Sequence, residues 1–471
     1  MKSEIGQNTT IHLAPKGLAI LAIVGPAFVW CAEYIGSGEV ILATRMGAIL
    51  GYAVLWAPLM GIILKTFIGA GGAHYTVCTG EGMVDMFGRM PGKGKIVVWV
   101  VLVTELCAGA MSGGSVASAA GIFAHSIIPL KPYIWGWILT AFAIVVVWSG
   151  TFDIIKYVMS VFVFLVILGV LYVAVHTLPG LSEVIRGLVV FSVPEVPGWA
   201  IELGNVSSNP WNEILPLIGW AAGGFASQVW YTYWVLGAGY GMARGRSYGQ
   251  PCDTSALSRM TVETARKVRG WCRVVYVDAT VAMIIGILVT GGFMLAGAGV
   301  LRPEHIAPEG PSVALELSVI FGKIWGKVGA MLFVIAGCAA LTSTLIGQFA
   351  GWPRLLADSI RICFPKFSQK FSWAVQFRMF VTFFFITNTL IVYTLGFKPV
   401  FIIKMSAVVE GLLLTPFQAV AVLIGLVWVM PGLIGKEAYA ILKPGWILKI
   451  GLIISAVVFG YFCFYKIPTY F

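Results

Sequence analysis

The stretches YIGSGEV (Tyr34–Val40) and AAGGFASQ (Ala221–Gln228) each interrupt a long apolar run near its middle. A lipid bilayer offers no water to the backbone N–H and C=O groups that a broken helix releases, so each unsatisfied group is costly. Such breaks persist where buried protein or a bound solute satisfies those groups. Two breaks at corresponding places in two halves of a chain predict a transporter's binding site at mid-membrane.

The composition indicates a membrane protein. Of the 471 residues, 59% are hydrophobic and 11% are charged, and the mean hydropathy is +0.91, whereas soluble domains carry about 25% charged residues. The eight cysteines show no paired metal spacing and the five histidines form no motif, so we expect neither a disulfide framework nor a metalloenzyme. Nucleotide-binding and zinc-protease patterns are absent from the sequence. We therefore expect a protein that is not an enzyme and holds no cofactor.

Apolar stretches near the ~20 residues that span a bilayer predict eleven transmembrane helices. Their limits are 17–48 (broken), 51–73, 95–126, 132–149, 154–177, 213–241 (broken), 271–299, 324–352, 375–396, 400–430 and 446–465. With a cytoplasmic N-terminus, most lysines and arginines fall in the inner segments, as the positive-inside rule requires. The sequence therefore predicts a multi-pass protein of a cytoplasmic (cell) membrane with an extracellular C-terminus. This topology accounts for the net charge of +11 without nucleic acid as a partner.

Spans 1–5 and 6–10 are two sets of five helices, and because five is odd the second set is inverted relative to the first. Each set begins with a broken helix, which predicts an all-α polytopic protein with the LeuT-type inverted 5+5 repeat and an added eleventh helix. The predicted organisation is a cytoplasmic segment 1–16, a first repeat 17–177, an extracellular loop 178–212, a second repeat 213–430, and helix 11 with the C-terminus at 431–471.

Several segments resemble the Nramp family of divalent-metal transporters in their order and spacing. The segments that carry the resemblance are GPAFVWCAEYIGSGEV (Gly25–Val40) with GYAVLW (Gly51–Trp56) for the first helix and the start of the second, TGEG (Thr79–Gly82) after the second, STLIGQFAG (Ser343–Gly351) for the eighth and LLLTPFQAVAV (Leu412–Val422) for the tenth. The similarity covers nearly the whole chain. It implies alternating-access transport of a metal cation, with that cation as substrate.

The chain departs from this family at the motifs that bind the metal. GSGE (36–39) stands where the family has Asp-Pro-Gly-Asn, and FAS (225–227) stands where it has Met-Pro-His, so the aspartate and the thioether are missing. Ser112 and Ser115 stand at two acidic positions that serve proton movement in the family, whereas Glu105 matches a family glutamate. The closer resemblance is to Nramp-related magnesium transporters, and it implies a hard cation such as Mg²⁺ without obligatory proton coupling.

Four carboxylates lie well inside predicted spans: Glu33, Glu39, Glu105 and Glu410. A charge at mid-bilayer costs at least ~2.5 kcal/mol, which makes each a functional candidate. Oxygen ligands suit Mg²⁺, Ca²⁺ or Mn²⁺, and Glu39, after the first break, is the predicted metal ligand together with the amide oxygen of Gln228. The predicted substrate-binding residues are Glu39, Gly36, Ser37, Phe225, Ser227, Gln228, Glu33 and Glu410, and Glu105 is the candidate for proton coupling.

Alternatives stay open at each of these positions. Glu39 could complement the dipole of the half-helix that it begins, and Gln228 could cap backbone groups freed by the second break. The aromatic cluster QVWYTYW (Gln228–Trp234) could form a cage for an organic cation. An amino acid or organic cation transporter is therefore one alternative function, and a non-transporting sensor on the same scaffold is another. We expect a small ion as substrate, the lipid bilayer as surroundings, and a functional monomer.

Overall fold

The structure is a computed structural model that describes residues 11–92, 94–148, 168, 169, 172, 174–176 and 178–469. Within these residues the chain is helical and contains no strand. The α-helices are α1 (Pro26–Tyr34), α2 (Thr44–Leu50), α3 (Trp56–Thr79), α4 (Met83–Gly88), α5 (Gly94–Ile127), α6 (Pro132–Val147), α7 (Leu181–Val189), α8 (Gly198–Glu202), α9 (Trp211–Trp220), α10 (Phe225–Ala238), α11 (Thr254–Ser258), α12 (Val262–Ala296), α13 (Val313–Cys363), α14 (Pro365–Lys370), α15 (Trp373–Leu395), α16 (Pro399–Val408), α17 (Thr415–Ile424), α18 (Met430–Leu433), α19 (Lys436–Leu442) and α20 (Trp446–Tyr461). Wider π-helical turns occupy Ser37–Ala43, Gly297–Leu301, Val409–Leu413, Gly425–Val429 and Phe462–Lys466.

Seven helical segments of the described chain are long and apolar enough to cross a membrane. They are Trp56–Thr79, Gly94–Ile127, Val262–Leu301, Gly310–Cys363, Trp373–Leu395, Pro399–Leu433 and Trp446–Thr469, with a shorter apolar helix at Pro132–Val147. These helices and the two broken ones lie at every predicted span except the fifth. The fifth, 154–177, falls almost wholly outside the described residues, so the total of eleven stays a prediction. Several helices exceed their predicted limits because hydropathy marks only the part of a helix that lies in lipid.

The first break separates α1 from the π-helical turn Ser37–Ala43. Ile35 has ψ 83° and Gly36 has φ −154° and ψ −121°, so both leave the helical region. The N–H of Gly36 donates to the carbonyl of Tyr34 at 2.9 Å. A Cβ atom on Gly36 would overlap the hydroxyl of Thr344. Helix α13 therefore packs directly against this break, and only glycine fits there.

The second break, Ala221–Gly224, separates α9 from α10. Ala222 and Gly223 both have positive φ, at 58° and 74°, and a left-handed conformation costs a non-glycine residue about 1–2 kcal/mol. Both breaks fall within about two residues of the glycines that predicted them. Helix α1 packs against α10, α12 and α13, and α10 packs against α3 and α13, so the two breaks are enclosed by the same helices.

An ionic cluster of four residues joins the second half of the first broken helix to the first half of the second. Arg45 on α2 donates to Glu213 on α9 at 3.0 Å, and Lys404 on α16 donates to the same carboxylate at 2.6 Å. Arg45 also reaches Glu309 at 3.0 Å. This cluster fixes the positions of α2, α9 and α16 relative to one another.

A second ionic contact lies at the far end of α3, whose 24 residues extend about 36 Å. Arg89 donates to Glu81 at 2.5 Å, and the backbone N–H of Cys252 donates to the same carboxylate at 2.6 Å. Burial alone would raise the pKa of Glu81, but the hydrogen bonds and charge of Arg89 outweigh it and hold that pKa below its usual value. Glu81 belongs to the TGEG segment, so this segment ties α3 to the loop before α11.

Candidate functional site

A small cavity lies between the two breaks. Its lining comes from both broken helices, from α5 and α13, and from the π-helical turn at Glu410: Glu33, Tyr34, Ser37, Gly38, Ser112, Trp220, Gly223, Gly224, Ser227, Trp230, Thr344, Gln348, Trp352 and Glu410. The space open to the centre of a water-sized sphere is about 20 Å³, enough for one water molecule. Of the predicted substrate residues, the cavity brings together Glu33, Ser37, Ser227 and Glu410.

Glu33 links the two broken helices across the cavity. The hydroxyl of Ser227 on α10 donates to Oε2 of Glu33 on α1 at 2.5 Å. The indole N–H of Trp30 in turn donates to the oxygen of Ser227 at 2.9 Å. All three side chains are buried. The carboxylate is thereby held at the last turn of α1, on the cavity side of the break.

Glu410 holds the second break. Its Oε1 accepts from the backbone N–H of Ala226, in the first turn of α10, at 2.8 Å, and its Oε2 accepts from the indole N–H of Trp220, at the end of α9, at 3.2 Å. A Cβ atom on Gly224 would overlap this carboxylate, so the glycine gives Glu410 access to the backbone. A carboxylate at the N-terminus of α10 also complements the dipole of that half-helix.

Lys65 on α3 binds the same break from the other side. Its fully buried ammonium donates to the carbonyl of Gly223 at 2.7 Å and to the carbonyl of Gly219. Lys65 thus satisfies two carbonyls at the second break, those of Gly219 and Gly223, and Glu410 satisfies the N–H of Ala226. Lys65 was not among the predicted site residues, although a single lysine inside an apolar run is itself a signal of function.

Glu39, Gly36, Phe225 and Gln228 do not line this cavity. Both oxygens of Glu39 are hydrogen-bonded. Oε2 accepts from the backbone N–H of Gly36 at 3.2 Å, and Oε1 accepts from the hydroxyl of Thr290 on α12 at 3.4 Å. The carboxylate therefore caps a backbone N–H group of the first break.

Gln228 behaves in a comparable way at the second break. Its Nε2 donates to the carbonyl of Ala222 at 2.8 Å, whereas its Oε1 has no hydrogen-bond partner among the described residues. The ring of Phe225 lies 6.1 Å from the ring of Phe87. Metal coordination by Glu39 and Gln228 stays a prediction.

Helix α13 adds oxygen atoms to the cavity that sequence analysis did not single out. Oγ1 of Thr344 and Oε1 of Gln348 are buried and have no hydrogen-bond partner within the described part of the chain. The Nε2 of Gln348 donates to the hydroxyl of Ser112 at 3.1 Å, which turns the amide oxygen away from α5. Buried polar atoms without a partner are rare in folded proteins, so these two are candidate ligand atoms.

Glu105, the candidate for proton coupling, lies behind the wall of the cavity. It accepts from the indole N–H of Trp352 at 2.9 Å, and Trp352 lines the cavity. Ser115 donates to the backbone carbonyl of Ser112 at 2.7 Å. Glu105 is thus separated from the site by one indole ring and reaches it through a single hydrogen bond.

The fold is that of the LeuT-type transporters. The solved structure of an Eremococcus coleocola manganese transporter in complex with an aromatic bis-isothiourea substituted compound aligns with a TM-score of 0.62 at 15% identity, covering 98% of this chain and 90% of that one. The structure of MhsT in complex with L-phenylalanine aligns with a TM-score of 0.53 at 15% identity, covering 95% of this chain and 99% of that one. At these identities the similarity shows the fold alone.

Sequence similarity then relates the chain to one family. The family model for natural resistance-associated macrophage protein-like (Nramp) sequences matches residues 27–206. The rice (Oryza sativa subsp. japonica) "Metal transporter Nramp1" is 23% identical over 363 residues, 74% of this chain and 62% of that protein. The "Divalent metal cation transporter MntH" of Latilactobacillus sakei is 24% identical over 189 residues, 39% of this chain and 40% of that protein. The alignments thus span less than two thirds of either relative. The chain is thus similar in sequence to Nramp proteins over part of its length, and both relatives are named as transporters.

Proposed function

We propose that this protein is a secondary transporter that moves a divalent metal cation across a cell membrane by alternating access, with the cavity between the two breaks as its binding site. One observation carries the proposal. The carboxylates of Glu33 and Glu410 line the same cavity as the oxygens of Thr344 and Gln348, which have no partner among the described residues. In this kind of fold, midplane sites form where discontinuous helices meet.

The chemistry of the lining favours a hard cation such as Mg²⁺. Its polar atoms are carboxylate, hydroxyl, amide and indole groups, and neither cysteine nor methionine is among the described lining residues. Hard divalent cations prefer oxygen ligands, whereas soft thioether or thiolate ligands favour other metals.

The size of the cavity argues against an amino acid or an organic cation as substrate in this conformation, because about 20 Å³ is far below the volume of such a solute. Of the aromatic cluster at Gln228–Trp234, Trp230 lines the cavity. The ring of Tyr231 instead stacks on that of Trp30 at 4.4 Å, and the hydroxyl of Tyr233 donates to Asp358 at 2.8 Å. These contacts favour packing over a cation cage.

The proposal includes transport that is not obligatorily driven by protons. Ser112 and Ser115 carry hydroxyl groups, which do not titrate in the physiological range, and Glu105 accepts a hydrogen bond from the lining residue Trp352. A divalent cation can instead follow its own gradient and the membrane potential, which contributes about 2.3 kcal/mol per charge at 100 mV. The orientation with a cytoplasmic N-terminus, and the division into two inverted repeats at 17–177 and 213–430, belong to the same proposal.

Reconstitution into proteoliposomes tests the function directly. Lumenal dyes for Mg²⁺, for Mn²⁺ and for pH would be read while an imposed potassium gradient with valinomycin sets the membrane potential. We expect cation uptake that grows with an inside-negative potential, without stoichiometric acidification, and no uptake in protein-free liposomes. Flux of radiolabelled amino acids without cation flux would overturn the choice of substrate. Binding without any flux would favour the sensor, and acidification that tracks the cation and vanishes in Glu105→Gln would overturn the absence of proton coupling.

A further inference from the structure

A cluster of three nitrogen and sulfur ligands lies outside the cavity, at the interface of α3 and α12. His74 and Cys78 on α3 and Cys272 on α12 are fully buried, and one ligand atom from each lies within 4.8 Å of the others. The sulfurs of the two cysteines are 3.6 Å apart. Two thiolates bound to one tetrahedral zinc ion at about 2.3 Å each are about 3.8 Å apart. The two sulfurs are therefore already near the spacing that one metal ion requires.

The hydrogen bonds of His74 fix its orientation in the way that a metal ligand needs. Its Nε2 lies 2.8 Å from the carbonyl oxygen of Leu442, and because a carbonyl only accepts, the proton is on Nε2. The other nitrogen, Nδ1, then carries a lone pair, which accepts from the hydroxyl of Tyr276 at 2.6 Å. Metal-bound histidines commonly donate their second ring N–H to a backbone carbonyl, which sets the tautomer and the ring orientation.

We propose that His74, Cys78 and Cys272 form a binding site for one Zn²⁺ ion, distinct from the cavity. Cys78 and Cys272 bind as thiolates after releasing their protons to solvent, and His74 binds through Nδ1 once the hydroxyl of Tyr276 moves aside. The fourth tetrahedral position falls to that hydroxyl or to a water molecule. Tyr276 also lines an apolar cavity of about 400 Å³ between α3, α12 and the start of α20, into which its side chain has room to move.

The site is separate from the cavity both in place and in chemistry. His74 lies about two and a half helical turns beyond Lys65 on α3, and its ligands are nitrogen and sulfur where the cavity offers oxygen. A bound Zn²⁺ ion would join α3 to α12 and, through the hydrogen bond of His74, to the end of α19. Helix α12 packs against both α3 and α19, so the ion would stabilise this end of the protein rather than travel through it.

The test uses the full-length protein in detergent, fully reduced and freed of metal, with Co²⁺ as a spectroscopic probe. We expect one Co²⁺ per chain at this site, a thiolate-to-cobalt charge-transfer band, and loss of the band when Zn²⁺ is added. Cys78→Ser and Cys272→Ser should abolish the band. His74→Gln should weaken Co²⁺ binding at least about 10-fold. Thermal unfolding of this variant without metal is the control that shows whether the protein is folded.

Two matched variants separate this site from other thiols and from the cavity. Cys31→Ser removes another fully buried thiol, and Glu410→Gln alters the cavity, so both should keep the band. Absence of the band in the reduced wild-type protein, or its survival in both Cys78→Ser and Cys272→Ser, would overturn the proposal. Free thiols counted before reduction are a further test. Six free thiols instead of eight, a return to eight with reductant, and no such deficit in Cys78→Ser would show a disulfide and would also overturn the proposal.

Discussion

Replacing Glu410 by glutamine should weaken binding of the divalent cation to the cavity by about 30- to 150-fold. Glutamine has the same shape, and its amide oxygen can still accept from the N–H of Ala226 as Oε1 does now. The substitution therefore removes one negative charge and the acceptor of the indole N–H of Trp220, while the contact with the backbone of the second break remains. A loss of affinity would then report on the charge and not on a collapsed helix.

The magnitude follows from the position of the carboxylate at the cavity wall. Two unit charges about 4 Å apart attract each other by about 4 kcal/mol at an effective dielectric constant of 20. The amide oxygen of glutamine and any water that follows the ion recover part of this energy, which leaves a net loss of about 2–3 kcal/mol. At about 1.4 kcal/mol for each factor of ten in affinity, this is the expected 30- to 150-fold change.

Isothermal titration of the purified protein with Mg²⁺ and with Mn²⁺ measures this change, and Glu39→Gln is the matched control. Both glutamates are buried within broken or π-helical backbone, but only Glu410 lines the cavity. We expect Glu39→Gln to change affinity by less than about threefold, because Glu39 does not line the cavity. Unchanged affinity in Glu410→Gln with a large loss in Glu39→Gln would refute this reasoning and support the ligand that the sequence predicted.

Three further variants test the surroundings of the site. Gly224→Ala should lower cation affinity at least about tenfold, because its Cβ would displace the Glu410 carboxylate, whereas Gly291→Ala, with no atom near the added Cβ, should bind normally in the same titration. Lys65→Met should lower the free energy of unfolding by about 2–6 kcal/mol, since two buried carbonyls at the second break lose their donor at about 1–3 kcal/mol each; thermal unfolding in detergent equal to wild type would contradict the role of the ammonium. Because the pKa of Glu81 is lowered in the folded protein, its ionised form should stabilise the protein above about pH 4.5, the ordinary pKa of a glutamate, and this contribution should disappear as the pH falls through the lowered pKa. Glu81→Gln should remove that part of the pH dependence of the free energy of unfolding. An unaltered pH dependence would show that the contact adds nothing.

The sequence predicted the positions of the helices well because long apolar runs and their glycine interruptions are local signals. The breaks at Gly36 and at Gly223 follow directly from residue type, since each needs a backbone that other residues disfavour or cannot fit. Hydropathy also identified Glu33 and Glu410 as candidate site residues, because a carboxylate is rare at every position of a membrane-spanning apolar run.

The direction of a side chain next to a break could not be predicted in the same way. Glu39 and Gln228 both follow a break, so either could face the cavity or turn back to cap the backbone, and the outcome depends on neighbours that are far away in sequence. Thr290, the partner of one oxygen of Glu39, lies 251 residues further along the chain. Thr344 and Gln348 could not be predicted as site residues either. Uncharged polar residues are common in helices, and their function depends on which residues pack against them.

The hydrogen bonds of Glu410 bear on how tightly a carrier can hold its cargo. Each oxygen of this carboxylate already accepts one N–H group, one from α9 through Trp220 and one from α10 through Ala226. An ion that binds at the proposed site must share or displace these donors. The loss of these two hydrogen bonds offsets part of the attraction between the ion and the carboxylate. We therefore expect a modest net affinity at the proposed site, with departure of the ion helped by two N–H groups that return to the oxygens it leaves. Because those donors belong to the two halves of one broken helix, we expect the same exchange to couple occupancy of the proposed site to the angle between the two halves.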